Sequence, residues 1–181
     1  MKSDQQIIAE IKDESTKQAA FRELVTRYKE RLYWHIRKIV LSHEDTDDIL
    51  QNTFVKVWRN IDSFREESGL FTWLFRIATN ESLTFLNQKK KKSFTSNDDY
   101  GDYLIENLQT DPYFDGDEIQ YKLQQAIARL PEKQRLVFNM RYYDDIKYQD
   151  MEQILGTSSG ALKASYHHAV KKIEDYLKST E

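Results

Sequence analysis

Cysteine is absent from the 181 residues, so neither a disulfide nor a thiolate metal site can form. Proline occurs twice and glycine five times, too few breaks for a turn-rich chain, and helix-period apolar spacing fills most of the length. No apolar run approaches the roughly 20 residues that cross a bilayer, and the opening MKSDQQIIAEIKDES is too polar for a secretory signal. The expectation is a soluble, cytoplasmic protein. No glycine-rich phosphate loop occurs, and the four histidines, His35, His43, His167 and His168, show no metal-ligand spacing beyond one adjacent pair. Glu44, Asp47 and Asp48 lack the inward Glu-x-x-His partners of a helical carboxylate metal bundle. Catalysis has no candidate, and no metal, cofactor or small-molecule substrate is expected.

Charge of one sign is missing in two places as well. Basic residues vanish between positions 93 and 118, where eight acids leave a net charge of −8, while residues 1–92 carry +3 and residues 119–181 carry +2. The middle stretch, with Gly101, Pro112 and Gly116 among its acids and no sustained apolar period, reads as a flexible acidic linker between two helical domains, 1–92 and 119–181. Its aromatics, Phe94, Tyr100, Tyr103, Tyr113 and Phe114, argue against a purely solvated tether. Acids in turn vanish from Thr157 to Ile173, so a helix there can approach phosphates without repulsion.

The fold class is all-α. Apolar periodicity predicts a first helix through Ile7, Ile8 and Ile11 and a second from about Gln18 to Val40. The acid-led HEDTDD opens a third, which buries Ile49, Leu50, Phe54, Val57 and Ile61. After a loop over Ser63 to Gly69, a fourth helix runs from about Leu70 to Lys90. Beyond the linker, helices are expected over Ile119–Arg129, Glu132–Tyr142, Lys147–Leu155 and from Ser158 or Ser159 to about Lys178. The last two, joined by LGTSS, form a helix-turn-helix signal.

Two features carry the chemistry of nucleic-acid binding. On the fourth helix Arg76, Asn80, Thr84, Asn87 and Lys91 recur at three- and four-residue steps and line one polar stripe that ends in the run Lys89 to Lys92. Such a cationic stripe beside aromatics suits phosphates and unstacked bases, although Phe71, Trp73 and Phe75 are individually better read as core. The last helix turns Leu162, Tyr166, Ala169, Val170, Ile173 and Leu177 inward and leaves Lys163, Ser165, His167, His168, Lys171 and Lys172 available. Small hydroxyls at its start permit close approach to DNA, and its free amides favour a phosphate.

The order of parts, EDTDDILQNTFVKVWRNI, then FREESGLFTWLFRIATNESLTFLNQKKKK, then LPEKQRLVFNMRYYDDIKYQDMEQILGTSSGALKASYHHAVKKIEDYL, resembles the extracytoplasmic-function (group IV) sigma factors of bacterial RNA polymerase, over residues 19 to 178. The first segment is similar to sigma region 2.2, the second to regions 2.3 and 2.4, and the third to region 4. The resemblance implies that region 2 occupies 1–92 and region 4 occupies 119–181. It implies contacts from Asp47, Asp48, Gln51, Asn52 and Arg59 to the clamp helices of the largest polymerase subunit. It implies that the loop, through Ser63, Phe64 and Arg65, captures a flipped base of the minus-ten element, with Arg76 and Asn80 on the same element and Lys89, Lys90, Lys91 and Lys92 near its phosphates. The last helix, through Ser159, Lys163, Ser165, His167, His168 and Lys171, would enter the major groove of the minus-thirty-five duplex, and its domain would rest on the flap of the second-largest subunit. The linker would thread the RNA exit channel. An anti-sigma factor is a further implied partner.

The sequence departs from the commonest family pattern at Ser165 and His168, where arginines often stand. Serine cannot make the bidentate guanine contact of arginine, so the minus-thirty-five sequence stays open. Two other classes fit parts of the chain: a stand-alone helix-turn-helix regulator binding a palindrome as a dimer, and an interaction module that sequesters a partner without touching DNA.

Overall fold

The computed structural model describes residues 1–93, 97–111 and 116–180, and among these it contains nine α-helices and no strand. Phe94, Tyr113 and Phe114 lie outside the described residues. Helix α1, Asp4–Ile11, begins in a reciprocal cap: the Gln6 amide donates to Ser3 Oγ at 3.2 Å and the Ser3 amide to Gln6 Oε1 at 2.8 Å. Its three isoleucines are buried, and Asp4 holds it on the next helix by accepting from the Tyr28 hydroxyl at 2.6 Å and from Arg27 at 2.8 Å.

Helix α2, Lys17–Val40, buries Leu24, Tyr28, Leu32 and Ile36 at four-residue steps and stops where Leu41 turns left-handed at φ 54°. It packs against α3, His43–Asn60, and α4, Leu70–Ser93, in the amino-terminal bundle. Leu24, Leu32, Ile36, Leu74 and Phe75 are excluded from solvent there, each a gain of about 1.5–3 kcal/mol before entropy is charged. A single 3-10 turn, Ile61–Ser63, leads from α3 into the loop.

The stretch expected to be without regular structure contains a helix, α5, Asn97–Gln109. Tyr100, Leu104, Ile105 and Leu108 are buried, and their spacing of four, one and three residues makes a narrow apolar stripe that a set of acids and Gly101 obscures in the sequence. The carboxy-terminal part comprises α6, Glu118–Ala128, α7, Glu132–Tyr142, α8, Tyr148–Leu155, and α9, Ser159–Ser179. Pro131 separates α6 from α7, because it supplies no amide and disfavours helix in the residue before it. A small core of Ala126, Ile127, Leu130, Phe138, Ala169 and Ile173 holds α6, α7 and α9 together.

The two helical parts expected from sequence are present, and they also touch: Leu136, Val137, Met140, Ile146, Met151, Ile154 and Leu162 join the apolar interior of the amino-terminal bundle, so one core runs across the seam between α4 and α8. The cause lies in FTWLFRIA: Leu70, Trp73, Leu74, Phe75 and Ala78 are all buried, which wraps apolar surface around more of α4 than α2 and α3 can cover. Met151 and Ile154 of α8 supply the missing wall.

Candidate nucleic-acid interface

Helix α3 starts where the Ser42 side chain accepts the Asp45 amide at 3.3 Å, with Glu44 and Asp45 in the first turn beside the positive end of the helix. With Ile49, Leu50 and Val57 turned inward, Asp47, Asp48, Gln51, Asn52 and Arg59 are all exposed on the outer face. Two apolar side chains share that face and were not among the sequence candidates: Val55 is 45% and Trp58 40% exposed. Helical phase is the signal that finds them, since the inward set of Ile49, Thr53 and Val57 leaves positions 55 and 58 outside. An apolar centre within a polar rim has the composition of a protein-binding surface.

The loop after α3 is tied at its start by Asp62 to Lys17 at 2.8 Å and at its middle by Glu66 to Lys12 at 2.9 Å, with Glu66 left-handed at φ 59°. It overhangs a hollow of about 390 Å³ lined by Ser63, Phe64, Arg65, Glu67, Ser68, Trp73, Arg76 and Gln153. Ser63 and Arg65 are exposed, as expected of strand-contacting residues, but Phe64 is 6% exposed and packs on Trp73 with ring centroids 4.9 Å apart. Phe64 is therefore part of the wall rather than a projecting side chain. The result is an aromatic-sided recess with two guanidinium groups at its rim, which suits a flat ring joined to a phosphate. Gln153 arrives from α8, a contribution the sequence does not announce.

Along α4, Arg76, Asn80, Thr84, Asn87 and Lys91 are exposed on one stripe, whereas Trp73 and Phe75 are buried. The lysine run divides in two. Lys91 and Lys92 are exposed. Lys89 pairs with Asp45 at 2.9 Å and lies 4.7 Å from the Tyr103 ring, and Lys90 pairs with Glu132 at 2.5 Å and lies 4.3 Å from the Tyr100 ring. Burial works against the Lys89 charge, but Tyr103 and Asp45 outweigh it and raise its pKa above the ordinary value. Buried beside these lysines, the Tyr100 hydroxyl is pushed up to about 12. The four lysines are thus not one phosphate-facing group in this arrangement.

In the carboxy-terminal part, α8 ends at Gly156, whose φ of 64° permits the tight turn into α9. Ser158 caps α9 by accepting the Ala161 amide at 3.4 Å, and Glu152 accepts the Ser159 amide at 2.5 Å. The start of α9 is consequently less open to a phosphate than its small hydroxyls suggest, because a carboxylate of α8 already sits there. Lys163, His167, His168 and Lys171 are exposed, while Ser159 and Ser165 are half-buried. Leu162, Ala169 and Ile173 form the buried stripe opposite, with Tyr166, Val170 and Leu177 half-buried beside it. Among the described residues no group of three metal-ligating side chains comes together, and no helix is long and apolar enough to cross a membrane.

A helical bundle with an exposed polar face and an aromatic-sided recess rimmed by arginines, joined to a helix-turn-helix, has the make-up of a nucleic-acid-binding protein. Comparison with known proteins agrees in the same order along the chain: the family Sigma-70 region 2 matches residues 24–92, and Sigma-70, region 4 matches residues 120–173. The ECF RNA polymerase sigma-E factor of Haemophilus influenzae is 26% identical over 97% of this chain and 95% of its own length. The ECF RNA polymerase sigma factor SigW of Bacillus subtilis is 27% identical over 89% of this chain and 90% of its own. Among solved structures, the sigma factor RpoE in complex with the anti-sigma factor NepR from Bartonella quintana matches with a TM-score of 0.70 at 23% identity, covering 87% of this chain and 96% of that one. CnrH in complex with the cytosolic domain of CnrY matches with a TM-score of 0.71 at 21% identity, covering 98% and 99%. The chain belongs to the sigma-70 family, in its extracytoplasmic-function group: it is a bacterial RNA polymerase sigma factor, which directs core enzyme to promoters and starts their melting.

Proposed function

We propose a division of labour within this sigma factor in which residues 1–92 bind core polymerase and the opened minus-ten strand, residues 93–118 connect, and residues 119–181 bind the minus-thirty-five duplex. The outer face of α3, with Asp47, Asp48, Gln51, Asn52 and Arg59 around Val55 and Trp58, docks on the clamp helices of the largest subunit. The recess bounded by Ser63, Arg65, Phe64 and Trp73 receives a base turned out of the stack. Extraction costs a few kcal/mol, and the recess and its cationic rim offset that cost. Arg76 and Asn80 continue the contact along the strand, with Lys91 and Lys92 at its phosphates and Lys89 and Lys90 joining once their internal partners leave.

The face of α9 that carries Lys163, His167, His168 and Lys171 enters the major groove, with Ser159 and Ser165 at its margin, and the same domain rests on the flap of the second-largest subunit. The chain works in the cytoplasm, contributes no catalytic group and needs no cofactor. An anti-sigma factor is its expected regulator.

The observation that carries this reading is that Arg76 is exposed at the rim of the aromatic recess and Asn80 exposed one turn further along α4, while Trp73, Leu74, Phe75 and Ala78 are buried. Two substitutions separate the roles. Asp48→Arg is expected to weaken association with core polymerase by tenfold or more, about the 1.4 kcal/mol expected of an interfacial charge reversal. Asn80→Ala leaves core binding intact and reduces permanganate reactivity of the minus-ten thymines. Loss of core binding by Asn80→Ala, or unimpaired opening by it, contradicts the assignment.

A further inference from the structure

The turn that joins α1 to α2 lies against the loop after α3, and its own bonds hold its shape. Asp13 Oδ1 accepts from the Ser15 amide at 2.9 Å and from the Ser15 hydroxyl at 2.8 Å, and the Thr16 hydroxyl donates to the Glu10 carbonyl at 2.7 Å. Behind the turn Ile7, Ile8 and Ile11 are buried, which fixes it to the amino-terminal bundle. Two lysines reach from this base to the loop, Lys12 to Glu66 at 2.9 Å and Lys17 to Asp62 at 2.8 Å. Both lie ahead of residues 24–92, the part matched by Sigma-70 region 2.

Exposed ion pairs are weak by themselves, and the side chains of Lys12 and Glu66 are 49% and 45% exposed. Here the pair acts on a backbone that little else holds. Glu66 is left-handed, a conformation that a residue other than glycine keeps only where its surroundings impose it. From Arg65 to Ser68, the bond from Lys12 to Glu66 is the one hydrogen bond to another element among the described residues. Lys17 is more enclosed, its side chain 13% exposed, and it meets two places at once: Asp62 at the start of the loop, and the face of Trp58, 5.4 Å from the ring centroid. Its hydrogen bond to Asp62 raises its pKa above the ordinary value. Trp58 in turn stands exposed on the outer face of α3.

Resting on the functional reading above, we propose that Lys12 and Lys17 are positioning residues for capture of the minus-ten strand: the turn between α1 and α2 holds the loop over its recess, and Lys17 links that loop to the Trp58 face on which core polymerase docks. Neither lysine needs to touch DNA. Docking covers Trp58 and removes water from around Lys17 and Asp62, and a charge pair strengthens as water leaves, so the loop is held more firmly in holoenzyme than in the free chain. A recess set before the strand arrives loses less conformational freedom on binding it.

Holoenzyme reconstituted with the full-length chain tests this on the strongest promoter recovered by run-off transcription of sheared chromosomal DNA. Lys12→Glu is expected to leave assembly with core unchanged and to lower the equilibrium yield of open complex, read by permanganate, about threefold to fivefold. The Lys12→Glu/Glu66→Lys exchange is expected to return the yield to within about twofold of wild type. Lys17→Met is expected to lower it about fivefold, and Lys17→Arg to keep it. On fork-junction fragments with an abasic site placed at each minus-ten position in turn, wild-type holoenzyme loses affinity at the captured base. Lys12→Glu is expected to shrink that loss by the same factor as the yield, a ratio that a general fall in stability does not move. Opening by Lys12→Glu equal to wild type, an exchange that fails to restore it, or a loss of core binding in step with opening overturns the positioning inference while the sigma assignment stands. Wild-type holoenzyme indifferent to every abasic site sinks the base-capture reading itself, and the inference with it.

Discussion

Lys89 and Lys92 stand three positions apart on the same helix and meet different surroundings. Lys89 is held by Asp45 and Tyr103, while Lys92 and its neighbour Lys91 face solvent. A phosphate contact releases condensed counterions, so each lysine that makes one adds to the salt dependence of binding. Removing the charge with Lys91→Gln is expected to reduce the slope of log K against log salt by about 0.7 for holoenzyme on a pre-opened promoter. A salt titration by fluorescence anisotropy measures it, and an unchanged slope removes Lys91 from the interface. Asp144 belongs to the same scale. Burial alone would raise its pKa, but the hydrogen bond and charge of His35, together with Lys38, hold it below the ordinary carboxylate value. A depressed carboxylate contributes stability that is complete above its unfolded value of about 4 and is lost as pH falls through the lower folded value. Wild type therefore loses stability relative to Asp144→Asn only in acid below pH 4, a difference readable from paired melting curves; a gap that instead narrows between pH 6 and 8 contradicts the carboxylate account.

At the scale of the element, α5 makes the sharpest claim. Leu104 is fully buried in the shared core, so Leu104→Ala is expected to cost about 2–4 kcal/mol of stability. Amide exchange across Asn97–Gln109 should quicken while α2 stays protected; equal protection in both proteins would show that α5 is not held by its apolar stripe. The cap of α9 is worth less: Ser158→Ala should lower stability by about 1 kcal/mol without disturbing α6, as thermal melts and exchange at the α9 amides would register.

The helices differ in how plainly the sequence declares them. Helix α7 could be read to its end residues because Pro131 stops what precedes it and Leu136, Val137 and Met140 keep a regular step. The stripe of Arg76, Asn80, Thr84 and Asn87 was equally legible, since exposure follows from phase alone. Helix α5 was not, because its apolar stripe is narrow and gains meaning only from the surface it lands on. The role open to Phe64 was only half legible: that it stands at the recess follows from the loop, but that it forms the wall, packed on Trp73, needs the fold. No local pattern reveals that Glu152 reaches the Ser159 amide or that Asp144 reaches His35, 109 positions away.

For the whole molecule, one apolar core spans both helical parts while Asp47, Asp48, Gln51 and Asn52 stay exposed on the outside of α3, so the face proposed to dock on core polymerase is open to solvent as the chain stands. The account as a whole stands on the claim that this chain confers promoter choice on core polymerase. Transcription of sheared chromosomal DNA by core enzyme, with and without the purified chain, measures that directly. A new set of transcripts with fixed start sites, sharing sequence near minus ten and minus thirty-five, is predicted. Transcripts identical to those of core alone, from a chain that binds duplex DNA tightly by itself, would contradict it.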